Sequence, residues 1–158
     1  MSSTLGQLRI ASMTQDEAEE IADWSYEPPY DFYDWRADDR DLAELLDPAQ
    51  RGGRYFSAHN SARELIGFAS FGHADDVVSI GLGLRPDLTG RGLGLAFLED
   101  SLAFAKRRFA PRLFTLMVAE FNKRAIAVYK QAGFVRTRSF VHETNGGTFL
   151  FVEMERSA

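Results

Sequence analysis

Residues 86–97 read PDLTGRGLGLAF, with glycine at 90, 92 and 94 between an apolar run that ends at Leu84 and a stretch of helical periodicity. No other segment restricts the fold as much. A strand that passes directly into a helix leaves the first N–H groups of that helix without partners, and the dipole adds partial positive charge, so the junction can receive an anion. Gly90, Gly92 and Gly94 have no Cβ to hold a bulky diphosphate away from those amides, and Arg91 sets a flexible cation beside them. A tight strand-to-helix turn without a ligand would use the same glycines. The spacing sets aside two other phosphate-binding patterns. The Gly-Lys-Ser/Thr of a Walker loop is absent, and a G-x-G-x-x-G fingerprint would need glycine where Leu95 stands.

Around this junction the periodicities predict an α+β domain. LGQLRIASM reads as a first strand, and Thr14 then caps an acidic helix, QDEAEEIADW. A proline-broken segment, SYEPPYDFYDWRADD, leads to a second helix over about 40–46 that stops at Pro48. RYFSAHN, ELIGFASFGH and VVSIGLGL read as a three-stranded antiparallel meander. A helix follows over 95–109, then the strand RLFTLMV, then a helix opened by Asn122 and ended by Gly133. FVRTRSFVHE and GTFLFVEME close as a hairpin about TNGG. The predicted order, βααβββαβαββ, makes a mixed, mostly antiparallel sheet with about four helices.

With 158 residues, 45% hydrophobic and 26% charged, the chain is expected to form one domain over 1–158. Its apolar runs are too short to span a bilayer, so no membrane association is expected, and MSSTLGQLRI shows no basic region followed by an apolar one, which makes a cytoplasmic location the expectation. The absence of cysteine excludes disulfides, thiolate ligands and a cysteine nucleophile, and His59, His73 and His142 are too scattered to suggest a metal site. Residues 1–50 hold 13 acids against 3 bases, whereas residues 51–158 hold 10 acids against 15 bases. A basic second half suits an anion and an acidic first half a cation, although solvated helix faces would give the same counts. The net charge of −5 disfavours nucleic acid as a partner.

NKRAIAVYKQAGF, residues 122–134, places Asn122 and Tyr129 seven positions apart, on one helix face about 10 Å apart along the axis. Asn122 alone reads as an N-cap with Phe121 as its staple, and Tyr129 alone as a core-edge aromatic with a wet hydroxyl. Together, in this order, LRPDLTGRGLGLAFL and NKRAIAVYKQAGF resemble the GCN5-related N-acetyltransferase (GNAT) superfamily. Its R/Q-x-x-G-x-G/A pattern falls on Thr89, Gly92 and Gly94. Its N-x-x-A-x-x-x-Y-x-x-x-G-F segment falls on Asn122, Ala125, Tyr129, Gly133 and Phe134. Thr89 departs from the pattern, removing one cation or amide and leaving a hydroxyl, so either affinity is weaker or Arg85 and Arg91 compensate.

The resemblance implies acetyl-CoA as cosubstrate, held where strands 4 and 5 run parallel and splay. It assigns the pantetheine arm to the main chain of Leu82, Gly83 and Leu84, the diphosphate to Gly90, Arg91, Gly92, Leu93, Gly94 and Leu95, and a further pantetheine contact to Asn122. Lys123, Arg124 or Lys130 would meet outer phosphates. The implied reaction is acetyl transfer to an amine of a small molecule or a protein N-terminus by direct attack through a tetrahedral intermediate. A main-chain N–H near Leu84 would stabilise the oxyanion. With a thiol near about 8.5 and a phenol near about 10, Tyr129 fits the general acid for the departing sulfur. The glutamate that serves some relatives as base is replaced by Met117, leaving Glu120, Asp75, Asp76, His73 or water, and the four side chains also read as turn or helix-start residues.

The acceptor is expected against WSYEPPYDFYDW, where Tyr26 and Tyr30 offer aromatic faces and Glu27 and Asp31 offer carboxylates to a cationic amine. A proline-fixed loop pinned by its aromatics is the structural alternative. Exposed sheet edges make a homodimer credible. A non-catalytic acyl-CoA-binding module on the same fold, and a nicotinamide-dependent domain, are the rival functional readings.

Overall fold

The structure, a computed structural model, describes residues 7–158. One seven-stranded sheet runs in the order β1-β2-β3-β4-β5-β7-β6. Its strands are β1 (Arg9–Ser12), β2 (Tyr55–His59), β3 (Leu65–Ala74), β4 (Val77–Leu84), β5 (Leu113–Ala119), β6 (Val135–Thr144) and β7 (Gly147–Ser157). The helices are α1 (Gln15–Ala22), α2 (Asp39–Leu46), α3 (Pro48–Arg51), α4 (Gly94–Phe109) and α5 (Lys123–Gln131). All strand pairs are antiparallel except β4 with β5.

Local chemistry sets most element ends. Thr14 and Glu17 form a reciprocal capping box, Thr14 Oγ1 accepting from Glu17 N–H at 3.2 Å and Glu17 Oε1 from Thr14 N–H at 2.9 Å. The β6–β7 turn is Asn145-Gly146 with φ of 52° and 75°, the left-handed pair that a two-residue hairpin requires. Gly133, at φ 93°, ends α5 as expected. Two boundaries differ from the sequence reading. The first strand begins at Arg9, and the start of its expected range, residues 5 and 6, lies outside the described residues. Pro48 does not end helical structure: α2 stops at Leu46, and Asp47 caps a further turn with Pro48 at its first position, where a missing N–H is harmless.

Apolar residues cover both faces of the sheet. On one, α1 and α2 bury Ala18, Ile21 and Leu45 with Trp24 and Tyr55; on the other, α4 and α5 pack Leu98, Leu102 and Ile126 against Phe56, Phe71, Phe114 and Met154. Phe56, Phe71, Phe97, Phe114 and Phe134 are fully buried, and each such side chain contributes about 1.5–3 kcal/mol of transfer free energy.

The sheet is interrupted at one seam. β4 pairs with β5 only at Val77↔Leu113, Val78↔Phe114 and Ser79↔Thr115, after which the strands separate. Each keeps its outer partner, β4 pairing with β3 as far as Gly67↔Leu84 and β5 with β7 as far as Ala119↔Phe151. A rigid β3–β4 ribbon therefore forms one wall of the split, and close packing at Gly67 sustains it. A Cβ at Gly67 would lie 2.8 Å from the Gly83 carbonyl oxygen and 2.9 Å from the Phe97 ring. Gly67→Ala is expected to lower stability by about 1–3 kcal/mol in urea unfolding, and an unchanged midpoint and slope would contradict that packing.

Candidate active site

The direction of the peptide groups along the split follows from strand alternation. Arg85 N–H donates to Ile66 C=O, so Gly83 is turned toward β3, and Leu82 and Leu84 present their peptide groups to the gap. Glu120 N–H donates to Leu150 C=O, so Met117 and Ala119 face the gap from β5. Of the three main-chain positions expected to hold a ligand arm, Gly83 has its backbone committed to β3. Its missing side chain makes room for the Phe68 ring, which a Cβ there would overlap.

Two phenols close the mouth of the split, both from the segment between α1 and α2. Tyr26 Oη donates to Leu84 C=O at 2.7 Å, and Ala119 N–H donates to Tyr33 Oη at 3.1 Å. Burial pushes both phenols above their ordinary range; Asp34 adds to this for Tyr26, while Asn122 and Ala119 N–H oppose it at Tyr33. The segment is anchored elsewhere too. Asp34 Oδ1 accepts from Tyr26 N–H at 2.9 Å, Asn145 Nδ2 donates to Phe32 C=O at 2.7 Å, and the Phe32 ring packs edge-on against Phe121 and Phe149.

Beneath the segment lies a cavity of about 650 Å³. Leu82, Gly83, Leu84, Gly90, Gly92, Leu93, Gly94, Leu95, Asn122 and Tyr129 all line it, so most of the residues singled out in the two motifs meet in one space. Gly90 and Gly92 hold φ of 72° and 76°, a region that a side chain strains, and the space beside Gly92 is open. Asn122 caps α5, its Oδ1 accepting from Ala125 N–H at 3.1 Å, which leaves the amide NH2 toward Tyr33 and the cavity. Tyr129, two turns further along α5, has its phenol pushed up to about 12 by burial, with the Tyr33 hydroxyl a smaller influence.

Other expected residues fall elsewhere. Arg91 lines neither this cavity nor the smaller one beside it. Glu27 belongs to that smaller recess of about 310 Å³, with Thr89 and Arg124, and Asp31 lines neither. The carboxylates on the main wall are Asp34 and Asp41, opposite His142. Asp34 belongs to the same acidic segment as Glu27 and Asp31 but sits between the irregular 3-10 turns over Tyr30–Tyr33 and Trp35–Ala37, where side-chain direction has no period to follow, and Asp41 lies beyond that segment, in the first turn of α2. Partial burial raises the Asp41 carboxyl above its ordinary value, and the charges of Asp38 and Glu44 add to that.

The four side chains weighed as bases are all outside the cavity. Glu120 is paired with Arg136 at 3.0 Å and Lys123 at 3.5 Å. His73 stacks on Phe109, Asp75 sits in the β3–β4 turn at φ 54°, and Asp76 binds Arg112 at 3.0 Å, all at the closed end of the seam.

A parallel pair that splays beside a glycine turn, with asparagine and tyrosine on the following helix, is matched by known proteins. Residues 10–134 match the Acetyltransferase (GNAT) family. The chain belongs to this family of acetyltransferases. It is 36% identical over 111 residues to a mycothiol acetyltransferase of Streptomyces coelicolor, a match that covers 68% of this chain and 32% of that protein, so the chain spans about a third of that relative. Among solved structures, a chimera of the spermidine N-acetyltransferase SpeG from Vibrio cholerae and hSSAT superposes with a TM-score of 0.78 at 18% identity, over 96% of both chains. The Vibrio cholerae spermidine N-acetyltransferase in complex with CoA and spermine superposes with a TM-score of 0.73 at 19% identity, over 96% of this chain and 95% of that one. GNAT proteins use acetyl-CoA, and the residues here fit it: inward peptide groups at Leu82, a side-chain-free cradle at Gly90 and Gly92, and a cation, Arg124, lining the same cavity. Among the described residues no helix is long and apolar enough to cross a membrane.

Proposed function

We propose that residues 1–158 form one acetyl-CoA-dependent N-acetyltransferase domain acting on a cationic amine. The observation that carries this reading is the continuity of one cavity from the glycine turn, past the free peptide groups of β4, to the acidic wall of Asp34 and Asp41. The first turn of α4 with Gly90, Gly92 and Gly94 receives the diphosphate. The peptide group of Leu82 pairs with the pantetheine arm as an added strand would, and Asn122 steadies its amide. The acceptor enters between Trp35, Asp41 and His142. That a structural neighbour binds spermine, a polycation, supports an amine as acceptor.

The amine nitrogen attacks the acetyl carbon directly, the N–C bond forms and the C–S bond breaks. Nitrogen loses one proton and sulfur gains one. The Leu84 N–H faces the gap, where it stabilises the negative charge that develops on the acetyl oxygen. Tyr129 donates to the departing sulfur. A phenol at about 12 lies above a thiol at about 8.5 by a gap worth about 5 kcal/mol, so Tyr129 acts chiefly as a hydrogen-bond donor to the thiolate, and water completes the proton transfer. Among the described residues no carboxylate stands at the β5 position of Met117. The acceptor therefore arrives with its nitrogen deprotonated or loses the proton to water along the open acceptor half.

Four measurements bear on this reading. Tyr129→Phe should lower kcat by about 100-fold or more while changing CoA affinity by less than about twofold; an unchanged kcat with the true acceptor removes the assignment. Binding of CoA without transfer to any of a panel of amines would instead identify a non-catalytic binding module. The raised pKa of Tyr129 keeps the donor protonated, so kcat should rise with pH as the amine deprotonates and show no decline up to about pH 10.5. A fall near pH 10 would mean that the donor is a phenol of ordinary acidity. Asp41→Asn should raise KM for cationic amines by about threefold to fivefold, in line with a partly exposed ion pair, and leave neutral acceptors unaffected. Equal effects on both classes would place the cation elsewhere.

A further inference from the structure

The GNAT pattern begins with Arg or Gln where this chain has Thr89, and neither neighbouring arginine fills the gap. Thr89 Oγ1 is held in the turn, donating to Pro86 C=O at 2.8 Å. Arg85 is engaged by Asp87 at 2.6 and 3.1 Å and by Leu65 C=O at 3.0 Å, and Arg91 lines neither cavity.

Arg124, in the first turn of α5, reaches the same place from the opposite wall. Its Nη1 lies 3.4 Å from where a Cβ at Gly90 would sit, and it lines both the main cavity and the recess beside Thr89. Its guanidinium carbon lies 4.0 Å from the centroid of the Tyr30 ring. The neighbouring Lys123 pairs with Glu120, but Arg124 has no carboxylate partner among the described residues. The first turn of α5 contains no acid, so two cations sit at the positive end of a helix dipole, an arrangement that an added anion would relieve. With one face stacked on Tyr30, the planar guanidinium keeps its N–H edge for a bidentate contact with phosphate oxygens.

We propose that Arg124 takes over the diphosphate contact that the substitution at Thr89 removes, and that Tyr30 holds it there. Tyr30 is thereby a positioning residue for the donor, although it belongs to the segment that borders the acceptor. The proposal rests on the acetyl-CoA reading above and adds to it which cation meets the diphosphate and what fixes that cation in place.

Calorimetric titration with CoA, dephospho-CoA and pantetheine tests it on the purified chain, without reference to turnover. Arg124→Gln should weaken CoA and dephospho-CoA alike by about 10-fold or more, as loss of a charged hydrogen bond does, and leave pantetheine unchanged. Arg124→Lys should recover only part of the loss. Tyr30→Leu should weaken CoA by about threefold to tenfold in the parent chain, with no further loss in the Arg124→Gln background. Adding Thr89→Arg to Arg124→Gln should restore affinity, which a variant that was merely misfolded would not do. Unchanged CoA binding by Arg124→Gln overturns the proposal. So does a loss confined to CoA and absent with dephospho-CoA, which would put Arg124 on the 3′-phosphate. If the parent chain binds pantetheine but not CoA, the proposal falls and a pantetheine site stands; if it binds none of the three, the acetyl-CoA reading itself fails.

Discussion

The loss of pairing between β4 and β5 beyond Ser79 and Thr115 is the constraint on which the site depends. It leaves two inner strand edges inside the molecule, and a buried peptide group without a partner costs about 1–3 kcal/mol. The ends of those edges are satisfied by side chains: the Tyr26 hydroxyl donates to Leu84 C=O, and the Tyr33 hydroxyl accepts from Ala119 N–H. The segment between α1 and α2 is therefore part of the hydrogen bonding of the sheet. The peptide groups left open, those of Leu82 and Met117 in the interior of the split, are the ones that an extended ligand can pair with.

The same anchoring fixes the half of the cavity proposed for the acceptor. Phe32 is gripped through its carbonyl by Asn145 and through its ring by Phe121 and Phe149, and Asp38 accepts from both Asn145 N–H and Thr144 Oγ1. The β6–β7 turn, β5 and the α1–α2 segment thus form one wall, and a side chain on that wall is displaced only with its neighbours. Such rigidity lowers the entropy lost when two reactants are brought together. It also means that residues near the donor and residues near the acceptor do not fall into separate elements.

The glycine turn, α5 and the closing hairpin were legible in the sequence because their signals are local. Asn145-Gly146 specifies a hairpin, Asn122 and Gly133 bound a helix, and Gly90, Gly92 and Gly94 mark a strand-to-helix turn, each within a few residues. The acceptor half was legible only as a location. Of the aromatic and acidic segment expected to border an acceptor, Tyr26 and Tyr30 line the main cavity, whereas Glu27 and Asp31 lie off the wall that Asp34 and Asp41 line. Two short 3-10 turns decide which side chains point inward, and neither has an amphipathic stripe. Contacts across long sequence separations were equally hidden. Tyr26 meets Leu84 and Tyr33 meets Ala119 because the sheet splits, and no periodicity within residues 24–35 carries that information.

Partial burial on the cavity wall has two opposed effects on Tyr129. By penalising the phenolate it raises the pKa from about 10 to about 12, which makes full proton donation less favourable. By excluding water it strengthens the attraction between the phenol O–H and any negative charge that forms beside it, since a hydrogen bond in a low-dielectric site is stronger than in water. The second effect acts when a thiolate appears and the first only if the proton leaves. In the proposed reaction such a phenol is accordingly better suited to stabilise the leaving group than to protonate it outright. The proposed role suits a tyrosine: an ordinary carboxylic acid would be ionised at neutral pH and would repel a sulfur anion, whereas a phenol remains a donor throughout the pH range in which an amine can attack.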